Sequence, residues 1–527
     1  TSYGTLKATN YIAHNANKRL PAEIKAIKKQ DLSRFRSYAI KKASPAKAMG
    51  TGNSGVKYFP HSGSPKALVI LVEFSDTPFQ SGEKAKNVFE HFLKGKAEDN
   101  LPDGYEAYTG SYKNKNNLRN KGSVSDYFYD MSKGTYTPQF DVVGPYKLNQ
   151  PSLYYGKGEN DNTYALVSDA CKAADKDVDF SRYDADGDGM VDLVYIIYAG
   201  YPASMSGNPN DIWPKSGPGN GSFGTYDGKK VCRYGVHAEL NFGRELNQKN
   251  GFLLSGIGLF CHEFSHTLGL PDLYPTVDAS KVDNQNPEMW DLMDGGEYTY
   301  NGGYCPTPYS PWEMDAVGWA TPIELSDEKQ TVTLKSYGKE RIAYKIKGEN
   351  NEYLLLQNIQ KGGWWNGIAN VYNTGMLIWR IDYGTKDVNL FDNPNNNIGK
   401  PKVMIVPADG YVISDYNHGD GKQWTDKQYK ESLQADPFPG TTKRTELLSV
   451  VLNNSTLEKP IYNIKEENGV ITFDYLDNIS AIQLPSVDET DMTTKQIFSL
   501  DGRYLGNDAS KLTKGIYIIG KKKVVIK

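Results

Sequence analysis

Residues 261–272 read CHEFSHTLGLPD, in which His262 and His266 stand four positions apart and flank Glu263. On a helix this spacing sets both imidazoles on one face, one turn apart, where they can hold a single ion. Zinc catalyses, rather than braces, when three protein ligands hold it and the fourth position is left to water, so a third ligand decides the chemistry. Gly269 can leave the helix in a left-handed turn and send the chain back beneath the histidines, which brings Asp272 in as an oxygen ligand. Zinc at such a site would lower the pKa of its water to about 7 and polarise a carbonyl. Glu263 is placed as the general base that takes the water's proton and returns it to a leaving amine.

The helix that must carry these groups is legible in its own apolar residues. Ile257, Phe260, Cys261, Phe264 and Leu268 form a stripe opposite the histidines and predict a core-facing side. An ordinary helix with two solvated histidines would need neither Gly269 nor Asp272 at their offsets. Met293 follows in WDLMDGG, residues 290–296.

HEFSHTLGLPD resembles the extended zinc motif of the metzincins in the variant with Asp as third ligand, and WDLMDGG resembles their Met-turn, with Met293 under the metal. In order around them, LVILVEFSD, DADGDGMVDLVYIIYAG, SPWEMDAVGW, EYLLLQNIQ and GMLIWRIDY are similar to landmarks of the immune inhibitor A family of secreted metallopeptidases. The likeness covers roughly residues 65–475 and implies zinc held by His262, His266 and Asp272, peptide-bond hydrolysis without a covalent intermediate, and protein or peptide substrates. Gluzincin-type enzymes instead take a glutamate from a later segment, for which Glu288 is the first candidate and Glu297 and Glu313 are further ones. Gly269 and Met293 have a purpose only in the Asp272 arrangement. Many metzincins add an oxyanion tyrosine just after the Met-turn. Here Asp-Gly-Gly follows Met293, which leaves Tyr298, Tyr304 and Tyr309 as substitutes, each also explicable by ordinary packing.

A second cation site is expected in DADGDGMVD, residues 184–192. Asp184, Asp186 and Asp188 alternate, Gly189 turns the chain, Asp192 takes the ninth place of a calcium loop, and the carbonyl of Met190 can close the cage. Tyr195 stands where the usual twelfth-position glutamate would be, so the cage is looser and its calcium structural.

The elements around these sites set the domain plan. The chain has 527 residues and a net charge of −3, which leaves no global field to hold nucleic acid and more length than one compact core uses. No apolar run reaches the roughly 18 residues of a membrane-crossing helix. Residues 1–60 are basic and poor in apolar side chains, and read as a leader or pro-segment. Strands and helices interleave over 61–320, which predicts an α/β metzincin-like catalytic domain with a mixed twisted sheet and an active-site helix. Short alternating strands over 321–477 predict an all-β sandwich domain. Residues 478–527 read as a linker and a small β tail, in which LDGR and KGIYII resemble type IX secretion sorting domains. That likeness implies a secreted or outer-surface protein, with the tail as its means of attachment to the cell surface, and the four cysteines fit either two disulfides or four thiols. A surface adhesin or glycan-binding protein with a structural zinc site is the competing function. Glu263 speaks against it, since a bracing site needs no base.

Overall fold

The computed structural model describes residues 58–96, 99–108, 119–156, 162–219, 222–243, 251–277, 287–412, 425–479, 496–499, 503–519 and 522–526. All but the last three residues of the expected leader, and most of the linker after 478, lie outside the described residues. The described residues fall into two compact units, one ending at Ile479 and the other beginning at Ser480.

The first sheet is built on β1 (Lys66–Glu73), whose six central residues are all buried. Alternate side chains of a strand point to opposite faces, so a continuous apolar run implies cover on both sides. Ala67, Val69 and Leu71 enter one core and Leu68, Ile70 and Val72 the other. The remaining strands are β2 (Gln139–Lys147), β3 (Val194–Tyr198), β4 (Lys215–Pro218) and β5 (Arg233–Ala238), in the order β2-β1-β3-β5-β4. All pairings are parallel except that of the edge strand β4 with β5.

Helices α1 (Ala85–Lys94) and α2 (Val124–Met131) cover one face of this sheet and α3 (Thr163–Ala174) covers the other. In α3, Leu166, Val167, Ala170, Cys171 and Ala174 recur at helical spacing and are buried, as an amphipathic helix on a sheet requires. Ser123 starts α2 with a reciprocal capping box to Asp126. The helix α4 (Ile257–Thr267) is buried on all sides, although its apolar stripe predicts only one core-facing side. Ile257, Phe260, Cys261 and Phe264 do join the core, where Phe260 stacks on Tyr195 at 4.1 Å. Removing such a ring costs about 3–5 kcal/mol. At the start of α4, a Cβ on Gly258 would lie 1.9 Å from the Glu297 carbonyl oxygen, so the glycine lets the segment after Met293 lie against the helix. Pro311 then opens α5 (Pro311–Ala316), capped by Ser310 and Glu313.

Beyond 320 the strands are β6 (Gln330–Leu334), β7 (Tyr344–Lys347), β8 (Tyr353–Ile359), β9 (Gly375–Ile381), β10 (Val403–Ile405), β11 (Ile461–Glu467) and β12 (Val470–Tyr475). They form a five-stranded sheet, β10-β9-β8-β7 with Ile323–Glu324 at its edge, and a three-stranded sheet, β6-β12-β11. Leu354, Leu356, Met376 and Ile378 face Val332, Ile471 and Phe473 of the smaller sheet. The opposite side of the same strands, with Leu355, Leu377 and Trp379, belongs to the core that contains α4. One core therefore runs across residue 320. The region is also not purely β, because α6 (Asp426–Gln434) interrupts it, started by a capping box between Thr425 and Gln428.

In the second unit, β13 (Ile497–Ser499), β14 (Tyr504–Gly506), β15 (Gly515–Ile519) and β16 (Lys522–Ile526) pair antiparallel in the order β14-β13-β15-β16. No described helix is long and apolar enough to cross a membrane. All four cysteines are thiols.

Candidate metal centre

α4 presents His262 and His266 on one face, with ring centroids 4.8 Å apart and planes at 84°. After Thr267 the chain turns through Gly269, whose φ of +95° lies in the left-handed region. Asp272 follows, and its Oδ1 lies 3.2 Å from Nε2 of His262 and 3.2 Å from Nε2 of His266. Both Nδ1 atoms face main-chain carbonyls, His262 toward Leu292 at 2.9 Å and His266 toward Leu270 at 2.7 Å. Carbonyl oxygens only accept, so each Nδ1 carries the proton and each Nε2 offers a lone pair. Two nitrogens and one carboxylate oxygen thus converge as a set suited to zinc.

The surrounding carboxylates favour positive charge at this point, whether a proton or a bound ion. Burial would depress His262, yet the carboxylates of Glu297, Asp272 and Glu263 outweigh it and hold the imidazole well above its ordinary range. His266 is raised in the same way, chiefly by Asp272. Burial works to raise Asp272, but the two imidazoles overcome it and keep that carboxyl well below the usual range. Glu263 is pushed up by burial, and its Oε2 has no hydrogen-bond partner. Ser216 on β4 donates to the Glu263 carbonyl, which fixes the edge strand beside the helix.

Met293 is fully buried, and its carbonyl accepts from Leu273 N at 2.8 Å. The alternative carboxylates have other commitments. Glu288 accepts the Tyr429 hydroxyl at 2.7 Å, and Glu313 accepts Ser310 N at 2.6 Å within the cap of α5. Glu297 Oε2 stands 3.8 Å from Nδ1 of His262, on the side of the ring away from Asp272.

The three tyrosines separate. Tyr298 lines the cleft at the histidines. Tyr304 donates to the Leu254 carbonyl at 2.7 Å, and Tyr309 is fully buried with its hydroxyl on Ser265. The expectation for these two is corrected, since core packing occupies both hydroxyls away from the cleft. Sequence reasoning missed Tyr274, which stacks near His262 with centroids 6.3 Å apart, and Tyr429, which α6 brings to the cleft. Only the two-residue offset of Tyr274 from Asp272 was a usable signal.

In the acidic loop, Asp184, Asp186 and Asp188 bring carboxylate oxygens within 4.8 Å of one another. Asp192 does not join them; it accepts Ala185 N at 2.9 Å and stands 4.0 Å from Arg233. Met190 lies in a two-residue strand paired with Lys230, and its N–H goes to Asp188. Lys229, which the sequence pattern did not suggest, reaches Asp184 at 2.7 Å, and so part of the loop's charge is neutralised from within.

A mixed sheet, a buried helix that carries His262 and His266, and a glycine turn that brings Asp272 to them form one candidate metal centre. Residues 57–318 match the family model described as immune inhibitor A peptidase M6, catalytic domain. The chain is 26% identical over 320 residues to immune inhibitor A of Bacillus thuringiensis subsp. alesti, covering 50% of this chain and 42% of that protein. It is 25% identical over 282 residues to the pre-pro-metalloprotease PrtV of Vibrio cholerae serotype O1, covering 47% of this chain and 29% of that one. The chain thus spans less than half the length of these relatives.

Proposed function

We propose that this protein is a secreted zinc-dependent endopeptidase that hydrolyses peptide bonds of extracellular proteins. The observation that carries the proposal is the convergence of both Nε2 atoms on Asp272 Oδ1 at 3.2 Å, with both Nδ1–H groups anchored to the main chain. His262, His266 and Asp272 would hold the ion. Bound zinc would supply a Lewis acid and a water with a pKa near about 7. Glu263 would accept a proton at its unpartnered Oε2 and deliver it to a leaving amine, a role that its raised carboxyl pKa suits. Tyr298 is the hydroxyl proposed to steady an oxyanion, because burial keeps it protonated at the cleft.

Secretion is supported by the name of a further relative, a putative secreted metallopeptidase of Arthroderma benhamiae that is 23% identical over 280 residues, and attachment to the cell surface through residues 478–527 by the tail's likeness alone. Calcium in the 184–192 loop is proposed as a structural brace, supported by the three converging carboxylates and by Asp184 Oδ1, which is buried without a partner. The test of the main reading is cleavage of casein or gelatin by the native protein and by Glu263→Gln at equal zinc content. Loss of activity in the variant is expected. Equal activity in both would discard the mechanism, and zinc without cleavage in either would favour an adhesin with a structural site.

A further inference from the structure

The cleft beside the proposed ligands has a volume of about 650 Å³ and is lined by more carboxyl groups than the proposed chemistry uses. Besides Glu263 and Asp272 it is lined by Glu288, Asp294 and Glu297, and no Lys or Arg side chain lines it among the described residues. Glu297 is 6% exposed; its carboxyl is hydrogen-bonded by Tyr298, and its Oε2, without a hydrogen-bond partner, stands 3.8 Å from His262 Nδ1. Asp294 is engaged by neutral donors alone in the hydrogen bonds resolved, Glu288 N at 2.7 Å and Gly295 N at 2.7 Å. In a low-dielectric pocket such carboxyl groups favour a cation entering from solvent.

These three carboxylates do not form a group compact enough for a metal ion among the described residues, where only the 262/266/272 and 184/186/188 sets do. The cation that fits is therefore an extended organic one. Leu259, Met289 and Trp213, the last 50% exposed, line the same cleft and offer apolar surface to a methylene stem.

We propose that this cleft is a specificity pocket that takes a lysine or arginine side chain of the substrate next to the scissile bond, with Glu297, Glu288 and Asp294 as its charge partners. The inference rests on the peptidase reading in taking the cleft as the place where a peptide lies. It goes beyond that reading in naming the residue class selected. A hydrogen bond to a charged group outweighs one to a neutral amide, so the expected selectivity for Arg over Gln is about tenfold or more.

The experiment uses acetylated, amidated peptides with one cleavable bond, varied as Arg, Lys, Gln or Glu at each flanking position. Blocked ends exclude recognition of a free α-amine. With the full zinc-loaded chain, kcat/KM for Arg and Lys at one flanking position should exceed that for Gln about tenfold, with Glu slowest. Glu297→Gln and Glu288→Gln should each shrink the Arg-to-Gln ratio. Binding of the same peptides to Glu263→Gln, followed by fluorescence anisotropy, should show the same ranking without turnover. Equal affinities for Arg, Gln and Glu peptides would overturn the pocket even where cleavage is robust. Selective binding with no cleavage by the native chain would instead overturn the peptidase reading and leave the pocket standing.

Discussion

The Leu273 N–H donates to the carbonyl of Met293 at 2.8 Å, which ties the residue after Asp272 to the buried methionine turn. The preceding carbonyl, that of Leu292, holds His262 at 2.9 Å. A single turn therefore positions both His262 and the segment that carries Asp272. Asp272→Ala should lower zinc occupancy at fixed free zinc about 10-fold or more, since it removes one of three donors. Metal analysis after dialysis against buffered zinc checks this. Unchanged occupancy would return Glu288 or Glu297 as third ligand.

Gly269 is expected to be intolerant of any side chain. Its φ is +95°, and a Cβ there would lie 2.8 Å from the Tyr58 ring. The left-handed backbone alone costs an L-residue about 1–2 kcal/mol. Gly269→Ala should therefore lower Tm by several degrees and weaken zinc retention together. A variant with native Tm and native metal content would show that the turn has other ways to form.

His237 gives the stability a defined pH dependence. Burial among Phe92 and Phe260 pushes its imidazole down to about 3 from 6.5, and neither ring nitrogen has a hydrogen-bond partner. Below pH 6.5 the unfolded chain takes a proton that the folded chain refuses until about pH 3. The stability associated with the neutral ring is thus complete above pH 6.5 and is lost as pH falls, at roughly 1.4 kcal/mol per unit at most. Urea unfolding of the native protein and His237→Leu at pH 7, 5 and 4 should show the gap moving in favour of the variant as pH falls. A gap that stays constant would contradict a neutral buried imidazole.

The acidic loop contains its own competitor for calcium. Lys229 holds Asp184 at 2.7 Å, and Arg233 reaches Asp188 at 3.5 Å. Chelation should depress the native Tm if calcium is bound. Lys229→Met should enlarge the rise in Tm on adding calcium, because a cation would then meet an unneutralised Asp184. If neither protein responds to calcium in thermal melts, the loop is a solvated acidic turn.

Much of the arrangement was legible before any coordinates. β1 and β3 announce themselves as apolar runs because both of their faces are covered, and Ser123 announces α2 because its hydroxyl caps the first turn. The helix α6 was not legible: Asp426–Gln434 has few apolar residues and is buried mainly through Tyr429, Ser432 and Leu433. The shared core across residue 320 was equally hidden, since Leu377 and Ile378 look alike in a sequence yet face different cores. Tyr304 and Tyr309 were misplaced for the same reason. Proximity along the chain to Met293 says nothing about which way a ring points.

The convergence of His262, His266 and Asp272 was determined locally. The four-residue spacing of His262 and His266 is a property of helix geometry, and the return of Asp272 follows from a left-handed conformation that Gly269, lacking a Cβ, adopts without strain. Which carboxylates share the cleft, which tyrosine hydroxyls reach it, and that Lys229 stands on the acidic loop were decided by tertiary packing. These contacts join residues as far apart as Glu288 and Tyr429, and only the burial of their separate apolar surfaces into a common core brings them within hydrogen-bonding reach.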